Sequence, residues 1–542
     1  MDKTLKTFKE FLLRPYLYLI ILVIGTSLKF YKLGNRFFWF DEVCTVLTVS
    51  GISVHQYHEL IPKNEIKNIN DYTGFLHLNK QNYTIGSQLK GLSKIATLNP
   101  LHYAFLIFWH RIAGDDIVDY RLFNVLIFVL TLPFLFLLAK TLFKTNLAGW
   151  IAVSLYSVSP FFQLYAQEAR YNTLWAFFII LSNYLLLQAM KHNKLKWWIA
   201  YSIAGILALY TSIMSGLLII GHLVYVMIFK KELRIKFGIN AVIILLGYLP
   251  WIIAILHNKA EITGALAWHR WFSTDQNFWK LIVGQLIGFS RLFGAFIDSF
   301  DQTYINLIFR NNLQGNYIEL LMNGLVLSSI IFSIIYVLKK EPKEIAFFLA
   351  LIILPQFLFF YVSDIIRKAG TSLFWRYHVV SFIGILLFMA YFLSQKFKQG
   401  KSLYSFIYLG LIMVGVISIG YLSKDRFRDM HSISKVSVEE AQLFSDAREP
   451  LLITDLSYPP GMGLGVLMTI LSECTSENID VLCVSPDIKN VKEKIPEKKY
   501  SEIYVIHWSE ELVQNLQSQF GEKMDSLRLK EQSWFKLWQI DY

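Results

Sequence analysis

The feature that most constrains this chain is a series of apolar runs long enough to cross a hydrocarbon core of about 30 Å, with basic residues held in the short stretches between them. The runs begin near Tyr16, Leu122, Leu147, Thr173, Trp197, Ile213, Phe237, Tyr317, Ile345, His378 and Ser402, about eleven spans. The Trp197 and Ile213 runs are parted only by a turn at Thr211 and Ser212. Of 542 residues 54% are hydrophobic and 17% charged, which no ordinary soluble domain shows. Lipid must be the solvent, and helices are the elements that satisfy their own backbone there. The expected fold is therefore membrane all-α and polytopic. The net charge of +12 does not point to nucleic acid, because the lysines and arginines lie in the loops between apolar runs.

The basic segment MDKTLKTFKEFLLRP precedes the first run, and no small-x-small cleavage site follows it, so Tyr16–Leu28 reads as a retained signal anchor. Placing the N-terminus in the cytoplasm puts Lys140/Lys144, Lys191/Lys194/Lys196, Lys230/Lys231/Arg234/Lys236, Lys339/Lys340/Lys343 and Lys396/Lys398/Lys401 there too, as the positive-inside rule requires. Three long segments are then outside: Tyr31 to about Asp119, His257–Asn316, and everything after Tyr421. Cytoplasmic links are short ties, and the chemistry is expected outside. Beyond Lys424 the pattern changes, with β-rich runs at Leu451–Thr454, Val481–Ser485 and Glu502–Trp508 and a helical run at Ser509–Phe520. Two domains are expected: 1–423 in the membrane, with a catalytic outside loop over about 31–119, and 424–542 as a small extracytoplasmic α/β domain. Within the tail, Pro459-Pro460-Gly461-Met462-Gly463-Leu464-Gly465 reads either as a phosphate-cradling turn or as a plain strand-to-helix connection. Cys474 and Cys483 could pair if the tail is exported.

Three outside motifs carry chemistry. Arg36-Phe37-Phe38-Trp39-Phe40-Asp41-Glu42 presses two carboxylates against interfacial aromatics, an environment suited to proton abstraction. The alternative is that Asp41 and Glu42 simply open an amphipathic helix. Asn99-Pro100-Leu101-His102-Tyr103 leads into an aromatic helix ending near Trp109-His110-Arg111, and its proline has a sufficient structural reason at a helix start. Ser159–Tyr171 places Glu168 and Arg170 as the only charges for a long way on either side, at a depth where ionisable groups are costly unless functional or paired. A structural Glu–Arg pair is the competing reading.

Cations recur at outer span ends: Arg121, His269/Arg270, Arg291, Arg310, Arg367/Lys368 and Trp375-Arg376-Tyr377-His378. Span interiors are nearly free of charge, whereas transporters collect ionisable groups near the midplane. An anion held at headgroup level, such as a lipid-linked phosphate, would meet these cations. Taken singly, each arginine is better explained by snorkelling or lipid-headgroup contact.

Phe40–Glu42, NPLHYAFLIFWHRIAG at Asn99–Gly114, YRLFNVL at Tyr120–Leu126, SPFFQLYAQEARYNTL at Ser159–Leu174 and WRYHV at Trp375–Val379 together resemble the polyprenyl-phosphate-dependent glycosyltransferases of the GT-C class, especially the protein O-mannosyltransferase and aminoarabinose-transferase group. The resemblance implies a GT-C fold of about eleven transmembrane helices, a lipid-phosphate sugar donor, and Asp41 as the catalytic carboxylate. It places Glu168 and Arg170 in the family's link and Arg376 near the donor phosphate. Leu98-Asn99-Pro100 departs from the family, where His-Pro-Pro or Glu-Lys-Pro is common, so no phosphate-binding lysine or metal-binding side chain stands there.

The mechanism expected is inverting transfer on the outer face of the inner (plasma) membrane. Asp41 acts as general base, Glu42 and Glu168 position hydroxyls, Arg170, Arg376 and Arg291 stabilise the leaving phosphate, and His102 and Tyr171 complete the substrate contacts. One carboxylate suffices because a phosphate leaving group needs no protonation. The partners are a membrane lipid-linked sugar donor and a lipid, glycan or protein acceptor, with no nucleic acid. No organic cofactor is implied, and a divalent cation is left open. Rival readings are a glycan polymerase or ligase using a lipid-linked oligosaccharide, and a transporter or flippase of lipid-linked sugars.

Overall fold

The computed structural model describes residues 14–78, 83–95, 98–259, 278–294, 317–424, 431–455, 462–485, 488, 490–496, 499–506, 509–527 and 537–540. The chain forms two compact units, one of Met1–Leu33, Ala96–His102 and Arg121–Asp425, the other of Gly34–Ile95, Tyr103–Tyr120 and Arg426–Tyr542.

The first unit is helical. Among the described residues, seven helices are long and apolar enough to cross a membrane: Ile117–Phe143, Asn172–His192, Lys231–His257, Leu321–Lys340, Lys343–Arg367, Trp375–Lys398 and Ser402–Ser423. An eighth span is made if Asn146–Ser157 and Pro160–Ala166, bent by 63°, count as one. All eleven expected runs are helical. Pro15–Phe30, Leu195–Thr211 and Ser215–Phe229 have only 16, 17 and 15 residues, which at 1.5 Å per residue fall short of the hydrocarbon thickness. Trp375–Lys398 is the central helix, with 94% of its most apolar window buried, against 22% for Lys231–His257 and Leu321–Lys340, whose apolar side chains face outward as lipid-facing helices do.

The bend at Ser159-Pro160 has a local cause and a use. Proline removes a backbone donor from the ladder, and the redirected turn aims two glutamines at the open end of the first helix. Gln163 Nε2 donates to the Leu28 carbonyl at 3.0 Å, and Gln167 Nε2 to those of Lys29 and Tyr31 at 2.8 and 2.9 Å. These are carbonyls that a helix C-terminus leaves without intrahelical partners. Lys29, fully buried, returns the favour by donating to the Ser157 carbonyl at 2.8 Å, where its charge also suits the negative end of that helix. Helix alternation puts the links after Ala166 and Arg367 at one end of this unit, and the basic links around Lys144, Lys194, Lys231, Lys340 and Lys401 at the other.

The second unit is built on a six-stranded sheet of β1 (Ile66–Asn68), β2 (Pro450–Asp455), β3 (Asp480–Val484), β4 (Glu502–Ile506), β5 (Met524–Leu527) and β6 (Leu537–Ile540), in the order β1-β3-β2-β4-β6-β5. β2 runs parallel to both β3 and β4, and the other pairings are antiparallel. Central β2 is buried along its length, as a parallel strand covered on both faces should be. Helix Glu510–Phe520 covers the sheet with Leu512, Val513, Leu516 and Phe520, and starts where the Ser509 hydroxyl accepts from the Leu512 N–H at 3.2 Å. The three β-rich runs of the tail are thus strands. Residues 34–95 and 103–120 cluster with the tail rather than with the membrane helices, and β1 extends the tail's own sheet, pairing Ile66 with Leu482 and Asn68 with Asp480. Cys474 and Cys483 form no disulfide; the first directly follows helix Met462–Glu473 and the second lies inside β3.

Candidate active site

In the second unit, Asp41 and Glu42 occupy the first turn of helix Phe40–Ser50, where carboxylates favour the helix dipole. Both are buried, at 8% and 1% exposure, so these are not surface charges of an amphipathic helix. The helix ends at Gly51, whose φ of 81° requires glycine. Nearby in the same unit, His110 and Arg111 are turned to structural work. Arg111 donates to the Gln88 side chain at 2.6 Å and to the Tyr83 carbonyl at 2.7 Å, and the Gln88 amide lies 3.2 Å from His110 Nε2. Among the described residues, His77, Asp115 and Asp116 could present three ligand atoms within 4.8 Å of one another to a divalent cation.

In the first unit, Glu168, Arg170 and Tyr171 lie on the link that follows the bent span. The Asn124 amide donates to the backbone carbonyls of both Glu168 and Arg170, the latter at 2.7 Å, and the Arg170 N–H closes a tight turn onto the Glu168 carbonyl at 2.7 Å. The Arg170 guanidinium lies 5.7 Å over the Tyr171 ring. His102 is fully buried against Phe123 and beside this link. Burial, then the Arg170 charge, push His102 down to about 3, so its imidazole is neutral at physiological pH and cannot serve as a phosphate-binding cation. Asn99 accepts from the Tyr248 hydroxyl at 2.7 Å, a neutral tie.

Arg291 and Arg376 each lie over aromatic rings of the segment 374–377. Arg291 sits in the turn Ser290–Leu292 with its guanidinium 4.0 Å from the Trp375 ring centre. Arg376 lies over Phe374 and Tyr377 at 5.7 and 5.4 Å. Their turn is firmly built. Asp364 accepts from the N–H groups of Thr371 and Ser372 at 2.9 and 2.6 Å, His378 Nε2 pairs with the Ser372 carbonyl at 2.7 Å, and the Gln356 amide donates to the Tyr377 carbonyl. The Arg291 turn is tied to the bent span by the Ser159 hydroxyl, which donates to the Leu292 carbonyl at 2.6 Å. Phe161 of that span stacks on Phe382 of the Arg376-bearing helix at 3.8 Å.

The cations expected at outer span ends thus divide. Arg170, Arg291 and Arg376 are held by aromatic rings at one end of the helical unit. Arg121 is 1% exposed and donates to the Leu33 carbonyl at 3.1 Å, so it is a structural strut. Lys368 is the left-handed C-cap of its helix. His269, Arg270 and Arg310 lie outside the described residues. Asn124, Gln356 and Asp364 were not singled out from sequence, although each is a polar side chain within an apolar run, a costly placement that is itself a signal.

Residues 98–254 match the family model described as dolichyl-phosphate-mannose-protein mannosyltransferase, the class to which the motifs point. No curated protein matches the chain. Among solved structures, an oligosaccharyltransferase from Archaeoglobus fulgidus, tethered to an acceptor peptide containing the NVT sequon, is similar at 11% identity and a TM-score of 0.47, covering 91% of this chain and 69% of that one. ArnT from Cupriavidus metallidurans bound to undecaprenyl phosphate is similar at 12% identity and a TM-score of 0.43, covering 97% of this chain and 98% of that one. The archaeal oligosaccharyltransferase AglB, also from Archaeoglobus fulgidus, in complex with an inhibitory peptide and a dolichol-phosphate, is similar at 12% identity and a TM-score of 0.44, covering 91% and 69%.

Proposed function

We infer that this chain is a membrane glycosyltransferase that moves a sugar from a polyprenyl-phosphate carrier to a lipid, glycan or protein acceptor on the outer face of the membrane. The observation that carries this reading is the set of three ring-stacked guanidiniums at one end of the helical unit, two of them on turns braced by buried hydrogen bonds. Guanidinium pairs well with phosphate, and a braced turn spends little reorganisation when charge develops on a leaving group. The family model over residues 98–254 supports a lipid-phosphate donor.

Arg170, Arg291 and Arg376 bind and stabilise the departing polyprenyl phosphate. Asp41 takes the proton from the acceptor hydroxyl, and the acceptor oxygen attacks the anomeric carbon as the bond from that carbon to the phosphate oxygen breaks, inverting the configuration. Glu42 and Glu168 position hydroxyls, and Tyr171 flanks the link. His102, neutral and buried, backs Arg170 from within the protein. His77, Asp115 and Asp116 are the described residues suited to a divalent cation, and no step of this transfer is routed through one.

The test uses the full chain in proteoliposomes with radiolabelled mannosyl-phospho-undecaprenol and an acceptor extract from the native membrane. Wild-type protein should label the acceptor and Asp41→Asn should not. Full transfer by Asp41→Asn removes the base. Movement of label across the bilayer with no transfer means a flippase, and transfer only of preassembled oligosaccharide means a polymerase or ligase.

A further inference from the structure

The glycine-bearing stretch at the start of helix Met462–Glu473 has a use that neither phosphate cradling nor simple chain reversal describes. From Met462 onward it is helix, running to Glu473, and Gly465 is buried within it. A Cβ on Gly465 would lie 2.0 Å from Cδ2 and 2.4 Å from Cε2 of Phe40, the first residue of the helix that carries Asp41. The glycine therefore lets the two helices approach to ring-on-backbone contact, at a position where helix propensity alone disfavours it. At the far end of the same helix, Glu473 Oε1 accepts the Phe38 backbone N–H at 3.2 Å, an N–H two residues ahead of the helix and so outside its hydrogen-bond ladder. Between these points Met468 meets the Tyr57 hydroxyl at 3.4 Å. The segment leading into Asp41 is thus fastened to one tail helix on both sides of Trp39.

We propose that helix Met462–Glu473 is the positioning element of Asp41, with Gly465 and Glu473 as its positioning residues, so that the tail domain is a working part of the catalytic apparatus. This rests on the reading of Asp41 as the base. Gly465 fixes how near the Asp41 helix can come, and Glu473 fixes where it starts. A base must lie within hydrogen-bond reach of its proton, and misplacement by about 1 Å can cost about 100-fold in rate.

Gly465→Val and Glu473→Ala are assayed in the same proteoliposomes, with Cys44 as a native reporter on the Asp41 helix. The expected result is a kcat lower by about 10- to 100-fold with the KM for mannosyl-phospho-undecaprenol within about twofold of wild type. The rate of Cys44 alkylation by N-ethylmaleimide, read by mass spectrometry, should change alongside. Adding Phe40→Ala to Gly465→Val relieves the clash and should recover part of both. If Gly465→Val fails to fold, Glu473→Ala carries the test. An inactive Asp41→Asn alongside folded variants of wild-type kcat and wild-type Cys44 labelling would overturn the positioning role alone. A fully active Asp41→Asn overturns the base assignment instead.

Discussion

The guanidinium of Arg291 lies 4.0 Å from the ring centre of Trp375, and the residue after that tryptophan is Arg376. One indole thus holds a cation from a separate segment, while Arg376 lies over Phe374 and Tyr377 on the indole's own turn. A cation held over an aromatic face gains about 0.5–2 kcal/mol.

Trp375→Ala should therefore weaken donor binding by about 2- to 30-fold, with Trp375→Phe in between. Titrating undecaprenyl phosphate against purified protein measures it, and unchanged affinity for Trp375→Ala would show that the stack has no part in phosphate binding.

Asp41→Asn should lower kcat by about 100- to 10,000-fold while donor affinity stays near wild type, since the amide keeps the size but cannot take a proton. Single-turnover transfer separates the two quantities. A loss confined to donor affinity would make Asp41 a binding group.

Asn124→Leu should destabilise the protein by about 1–3 kcal/mol, because it strips the amide from the carbonyls of Glu168 and Arg170. Asn124→Asp should be worse, since a carboxylate would face the same carbonyls. Thermal unfolding in detergent ranks them, and an Asp variant as stable as wild type contradicts this account.

Glu440, buried in helix His431–Asp446, is pushed up to about 8 by burial and then by the Glu439 charge. An unfolded carboxyl titrates near 4.5, so between these values the folded protein keeps a proton that the unfolded chain releases. This group's contribution is full below about 4.5 and is lost as pH rises through about 8. Glu440→Gln should flatten that decline, raising the melting temperature at pH 9 relative to wild type more than at pH 5. A variant that gains nothing at pH 9 would mean the carboxyl is relieved by some other group.

Apolar periodicity made the helical unit legible, because in lipid every run long enough to span must also satisfy its own backbone. The β-rich runs at Leu451, Val481 and Glu502 were legible for a similar reason, since buried parallel strands are apolar along their length. β1 was not, because Ile66-Lys67-Asn68 is three residues long with two of them polar, and it is a strand only through its partner in the distant tail. The arginines stood out by charge, and the neutral groups that aim their backbone did not. Nothing local separates Asn124, which holds the Glu168–Arg170 link, from a polar residue idling in a span. The protonation state of His102 was not legible either, because only packing reveals that burial next to Arg170 holds its imidazole neutral.

The pairing of β1 with β3 also bears on how the protein is made. Asn68 bonds to carbonyls 409 and 411 residues further along, so this edge can zip only after that distant segment has been synthesised. Such distant closure is slow, and until it happens the segment bearing Asp41 is without its sheet. A chain arrested before residue 480 would lack the strand on which β1 pairs, so the sheet edge at 66–68 has to wait for a segment made hundreds of residues later.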